Sequence, residues 1–101
     1  MTESMTDQLM EGIHFIKFGA DWCGPCKALE PALNKFEEAN ITRVKVHRLD
    51  VDTDFEDASK YGIRNIPTIV IVKNGEVVGR INGVQTVQNL TNKLEEYVES
   101  N

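Results

Sequence analysis

The sequence predicts an α/β fold: a mixed four-stranded sheet flanked by helices, in the order βαβα followed by ββα. Three observations lead there. Runs rich in β-branched and aromatic residues alternate with segments of helical period. Asn74-Gly75 separates two strand-like runs, the signature of a two-residue hairpin. A βαβ unit makes its strands parallel through a right-handed crossover, whereas the hairpin adds an antiparallel pair. The 101 residues read as one domain spanning 1–101, long enough for a single packed core and too short for two.

Taken in order, Thr6 to Glu11 reads as a short helix with Leu9 and Met10 as apolar contacts. Ile13 to Phe18 is the first strand, with Ile16 and Phe18 on one face and Phe15 and Lys17 on the other. From Gly24 to about Asn40, residues Ala28, Leu29, Ala32, Leu33, Phe36 and Ala39 recur at helical spacing. Pro31 lies inside that helix, removes the bond to the Lys27 carbonyl and is expected to kink the axis. Arg43 to Val51 is the second strand. Asp52-Thr53-Asp54 offers an N-cap to a short helix carrying Phe55, Ala58 and Tyr61, and Gly62 ends it. Thr68 to Val72 is a nearly continuous apolar run, as expected of a central strand covered on both faces. Glu76 to Ile81 returns antiparallel, and Thr86 caps a last helix with Val87, Leu90, Leu94, Tyr97 and Val98 in one stripe.

Eleven basic residues against sixteen acidic ones give a net charge of −5, which argues against a nucleic-acid binder needing a basic stripe. No window approaches the roughly 18 apolar residues of a membrane span. The first seven residues have neither a basic region nor an apolar core, so they are not read as a secretory signal. The expected address is therefore the cytoplasm, where a lone close pair of cysteines is catalytic or metal-binding rather than a structural staple.

That pair lies in Trp22-Cys23-Gly24-Pro25-Cys26-Lys27, and the chain has no other cysteine. The thiolate is the species that attacks a disulfide, so a working cysteine needs its anion stabilised. Cys23 falls at a strand-to-helix junction, where free backbone N–H groups and the helix dipole favour negative charge. Cys26, one turn on, can resolve the mixed disulfide that Cys23 forms. Gly24-Pro25 makes the ring tight and leaves Pro25 compatible with the first helical turn. Inert small-residue packing and zinc binding are the alternatives, but Cys-x-x-Cys is only half a zinc site and His14 and His47 stand on separate strands. No metal is expected, and a Cys-x-x-Cys beside a βαβ pattern is itself a recognised redox signature.

The chain resembles the thioredoxins from about Ile13 onward. Its marks are Trp22 to Lys27, Pro31, Tyr61-Gly62-Ile63-Arg64, Ile66-Pro67-Thr68, Lys73-Asn74-Gly75-Glu76 and Gly83. The resemblance implies a three-layer fold, with Cys23 as exposed nucleophile and Cys26 as buried resolving thiol. It also implies a cis Pro67 facing the dithiol, so that the Ile66 backbone offers strand-like hydrogen bonds to a bound peptide. Trp22, Gly24, Pro25, Ile66, Pro67, Thr68 and Gly83 would then form a substrate platform, with Gly24, Pro25 and Lys27 also tuning the site.

Three departures stand out. The buried acid usual six residues before the nucleophile is Lys17, and the lysine it pairs with is Arg48. Asp50 is the nearest candidate counter-charge. Lys17 is expected to run along the sheet and put its ammonium in solvent. A sharper reading makes it a positive charge near Cys26 that stabilises thiolate in place of a general base. Gly19 stands where an aromatic residue is common, which removes packing beneath the active-site loop. Only 22 residues precede Cys23, so four strands are expected rather than five, with Arg43, Lys45 and His47 protecting the exposed edge. His14 and His47 read as strand-surface residues.

The resulting reading is a monomeric protein-disulfide reductase that cycles a Cys23–Cys26 disulfide and binds no cofactor. Its partners are disulfide-containing proteins and a separate thioredoxin reductase. A non-redox binding subunit and a glutathione-dependent, glutaredoxin-like enzyme are the alternatives.

Overall fold

The computed structural model describes residues 9–98. Within them the order is β1 (Ile13–Gly19), α1 (Gly24–Ala39), β2 (Lys45–Asp50), α2 (Phe55–Lys60), β3 (Thr68–Lys73), β4 (Glu76–Asn82) and α3 (Val87–Val98). The strands form one sheet in the order β2-β1-β3-β4. β1 and β2 are parallel, as a helical crossover requires, and β3 runs antiparallel to both β1 and β4. The expected mixed sheet is therefore present, with β3 buried along nearly its whole length. Most of the helix expected over Thr6 to Glu11 lies outside the described residues; Leu9 and Met10 occupy a turn.

Strand alternation sorts the core into two layers. Phe15, Ile69 and Ile71 face Leu29, Leu33 and Phe36 of α1 and Leu90 and Leu94 of α3. Ile16, Phe18, Val70 and Val72 face the other way, against Leu9 and the α2 residues Ala58 and Tyr61. The sheet is thus sandwiched between helices, with the Phe15 and Phe36 rings stacked 5.1 Å apart across one layer. On α1 the buried stripe is Cys26, Leu29, Leu33 and Phe36. Ala28 and Ala39, expected in it, face solvent.

Turn chemistry agrees with the sequence in most places. Asn74 and Gly75 both have positive φ, 51° and 87°, as a two-residue hairpin demands. Gly62, at φ 65°, closes α2 with the bonds Ile63 N–H to Ala58 O and Gly62 N–H to Ser59 O. Thr86 caps α3 by accepting the Asn89 N–H at 3.0 Å. The start of α2 differs. Asp54 holds the N-cap position, but its carboxylate bonds the Asp50 N–H instead of the first helical turn.

His14 corrects the surface assignment, being only 2% exposed. Its Nε2 donates to the Glu11 carbonyl at 2.7 Å, and its Nδ1 meets His47 Nε2 at 2.9 Å. The neutral pair is satisfied when His47 donates to His14. His47 is half-buried against that ring.

Candidate functional site

Cys23 and Cys26 are joined by a disulfide with their Cα atoms 5.3 Å apart. β1 ends at Gly19 and α1 begins at Gly24, so the short turn between them places Cys23 at the helix N-cap, with extended backbone (φ −92°, ψ 110°). There its Sγ accepts the Cys26 N–H at 3.1 Å, one of the orphan donors every helix start leaves. Pro25, in the first turn, has no N–H to leave unsatisfied. The expected contrast between an open and a closed cysteine is narrower than the resemblance implies. Cys26 is 1% exposed and Cys23 only 5%, because the tight ring folds the Cys23 sulfur onto the helix start.

The residues around Cys23 are open or backbone-held. Trp22 is 70% exposed, and its indole N–H is anchored on Asp52 Oδ2 at 2.8 Å. Gly24, Pro25 and Lys27 are exposed along the first turn of α1. The Ile66–Pro67 peptide is cis. Gly83, at φ 83°, donates its N–H to the Pro67 carbonyl at 2.9 Å, so these two platform residues are brought together. Ile66 is partly buried against the Phe18 and Tyr61 layer. Thr68 is buried, and its hydroxyl is spent on scaffold: it donates to the Asn65 carbonyl at 2.7 Å and lies 2.9 Å from Asn82 Oδ1.

Cys26 has charged neighbours. Lys17 and Arg48 are partners in the β1–β2 register, so both face α1. Lys17 does not send its ammonium into solvent. Its side chain is 12% exposed, and Nζ donates to Glu30 Oε2 at 2.7 Å. The other oxygen of Glu30 accepts from Arg48 Nε at 2.9 Å. Arg48 also donates to Glu37 at 3.0 Å and to Asn34 at 2.7 Å. Asp50, expected as the counter-charge, caps the turn into α2 by accepting the Asp52 N–H at 2.8 Å. Sequence reasoning missed Glu30. The signal was present: Glu30, Asn34 and Glu37 fall at i, i+4 and i+7, a polar stripe on one face of α1.

Burial opposes charge on Glu30, but hydrogen bonds from Lys17 and Arg48, and their charges, outweigh it and hold the carboxyl below its usual range. Burial likewise opposes the Arg48 charge, and Glu30 and Glu37 reverse the effect and raise its proton affinity. Gly19 sits at the centre. A Cβ there would come within 3.0 Å of Lys17 Cε and 3.1 Å of both Lys17 Nζ and Cys26 Sγ. The space vacated by an aromatic side chain is therefore filled by the lysine and the sulfur. Among the described residues, no group of three His, Cys, Asp or Glu side chains is placed to hold a metal ion. No described helix is long and apolar enough to cross a membrane.

The Thioredoxin family model matches residues 2–96. Thioredoxin of Bacillus subtilis (strain 168) is 37% identical over 94 residues, covering 90% of each chain. Thioredoxin of Listeria monocytogenes (serovar 1/2a) is 34% identical, covering 97% of this chain and all of its own. Among solved structures, a mutant thioredoxin from Halobacterium salinarum NRC-1 superposes with a TM-score of 0.86 at 35% identity, covering 98% of this chain and 88% of that one. Fasciola hepatica thioredoxin gives 0.82 at 28% identity, with 92% and 88% covered.

Proposed function

The chain belongs to the thioredoxin family and is a protein-disulfide oxidoreductase acting through the Cys23–Cys26 pair, and we propose that Cys23 attacks while Cys26 resolves. The carrying observation is the Cys26 N–H directed at the Cys23 sulfur over 3.1 Å, at the start of a helix whose dipole favours an anion there. In the reduced protein the Cys23 thiolate attacks one sulfur of a substrate disulfide and expels the other as a thiolate. Cys26 then loses its proton and attacks the Cys23 sulfur. The internal disulfide forms, the second substrate thiolate leaves, and two electrons have passed to the substrate.

The substrates are disulfide-containing proteins, and a separate reductase returns the electrons. For the finer assignment, the protein is a monomeric single domain working in the cytoplasm, with a thioredoxin reductase as its electron donor. The platform of Trp22, Gly24, Pro25, Ile66, Pro67, Thr68 and Gly83 receives an extended segment of substrate. The exposed indole of Trp22 and the Pro67–Gly83 backbone tie support that reading.

Insulin reduction with dithiothreitol tests the roles. Cys23→Ser abolishes turnover. Cys26→Ser also abolishes it and, mixed with insulin in the absence of dithiothreitol, accumulates a mixed disulfide on Cys23, visible as a mass adduct. An adduct on Cys26 in Cys23→Ser, with none on Cys23 in Cys26→Ser, reverses the assignment. Supplying NADPH with thioredoxin reductase in one arm, and with glutathione and its reductase in the other, identifies the donor.

A further inference from the structure

Beside Cys26 the structure opens a cleft of about 310 Å³. Its charged lining comes from every element around it: Lys17 on β1, Asp21 in the loop, Lys27 and Glu30 on α1, Arg48 and Asp50 on β2. Lys17 Nζ and Cys26 Sγ each lie 3.1 Å from the point where a Gly19 Cβ would stand, so they are no further apart than twice that distance. An ammonium has three donors, and Glu30 takes one of them. Glu30 is itself shared, with its second oxygen held by Arg48.

We propose that Glu30 and the bare backbone of Gly19 position the Lys17 ammonium against Cys26, so that Cys26 resolves the mixed disulfide as a charge-stabilised thiolate without a carboxylate base. The inference rests on Cys26 being the resolving thiol. Glu30 is the only carboxylate on the Lys17 ammonium among the described residues, and it is a poor proton acceptor because both its oxygens already take N–H donors. The same bonds hold its carboxyl below the usual range. Of the other carboxylates lining the cleft, Asp21 is exposed in the loop and Asp50 accepts the Asp52 N–H, so the Cys26 proton leaves to solvent through the cleft. The thiolate left behind attacks the Cys23 sulfur, the sulfur–sulfur bond to the substrate breaks, and the substrate departs as thiolate. Lys17 exchanges no proton and acts by its charge alone. Any side chain at position 19 would compete for the point both groups approach.

The experiment titrates Cys26 alone, in a Cys23→Ser background, by thiolate absorbance. Lys17→Gln is expected to raise its midpoint by about one pH unit, a tenfold loss of thiolate at a given pH below it. Lys17→Arg, which keeps the charge, is expected to restore most of that loss. Glu30→Gln moves the midpoint down, because the amide oxygen still holds the ammonium while the offsetting negative charge is gone. In the two-cysteine protein, Lys17→Gln slows resolution at neutral pH about three- to fourfold, since the more basic thiolate is also the better nucleophile. Its effect on the redox equilibrium grows as pH rises through the thiol range, toward a tenfold change, or about 30 mV.

No shift in Lys17→Gln, or equal shifts in Lys17→Gln and Lys17→Arg, overturns the inference. So do shifts of the same sign in Lys17→Gln and Glu30→Gln, which mark a packing effect. Should Lys17→Gln fail to fold, a rise or no change in Glu30→Gln alone is decisive against it. If instead Cys26→Ser accumulates no adduct on Cys23, the role assignment fails, whereas the single-thiol titration still reports the charge effect.

Discussion

The two sulfurs of one disulfide are served by different physics. At Cys23 the stabilising group is backbone, the Cys26 N–H at a helix start, and the neighbouring Trp22 and Gly24 are open to solvent. At Cys26 the surroundings are side-chain charges: a nearly buried lysine, a carboxylate shared between two cations, and an arginine reaching three partners on α1. A backbone dipole comes with the helix and tolerates changes of side chain. A charge cluster depends on each member, because removing one leaves the others partly desolvated and unpaired.

That difference can be broken first at Glu30. Glu30→Ala leaves the Lys17 ammonium, 12% exposed, without its carboxylate, and is expected to cost about 1–3 kcal/mol in urea unfolding. The effect carries a pH signature. Because the folded carboxyl titrates below its ordinary value of 4.5, its stabilisation is full above that value and is lost as pH falls through the folded one. Wild type and Glu30→Ala should therefore converge in stability in acid; parallel curves down to low pH would sink the charge argument.

On the other side of the comparison, Gly83→Ala meets no atom within 4 Å of the new Cβ, so its cost is purely conformational. With φ at 83°, about 1–2 kcal/mol is expected, with little dependence on pH. Trp22→Phe should cost less, roughly 1 kcal/mol or below, because the lost bond to Asp52 is solvent-exposed. Its larger consequence is a raised KM for protein disulfides with kcat nearly unchanged; a fall in kcat alone would remove Trp22 from the platform.

The smallest effect belongs to the histidine pair, remote from both sulfurs. Burial, then the charges of His14 and Lys45, lower the His47 proton affinity below its ordinary 6.5. A histidine held neutral this way stabilises the fold above 6.5, and the stabilisation is lost as pH falls through the depressed value. His47→Gln should flatten that part of the pH–stability curve while leaving the Cys26 titration unmoved.

Much of this was legible in the chain. The period-2 run at Ile13 to Phe18 correctly split Phe15 from Ile16 and Phe18 between two core layers. Asn74-Gly75 announces the hairpin, and the strand-to-helix junction itself puts Cys23 at a helix start. Turns, caps and strand faces are decided within a few residues, so a linear reading recovers them. The residues read wrongly depend instead on which of several possible partners the fold selects. Asp50 looked like the partner of Arg48 because it is two residues away on the same strand, yet the turn into α2 claims its carboxylate. His14 reads as surface on strand alternation alone, but the Glu11 carbonyl three residues back and the His47 ring on the neighbouring strand close over it.

The order of elements, the βαβ and hairpin connections and the dithiol all follow from backbone preferences and side-chain chemistry at short range, and so can be read along the chain. What faces the second sulfur depends on how the elements pack. The β1–β2 register set Lys17 beside Arg48, and helix packing then laid the Glu30–Asn34–Glu37 face over both. A charge's partner is the nearest opposite charge in space, and in this fold that partner is supplied by an element packed across the sheet.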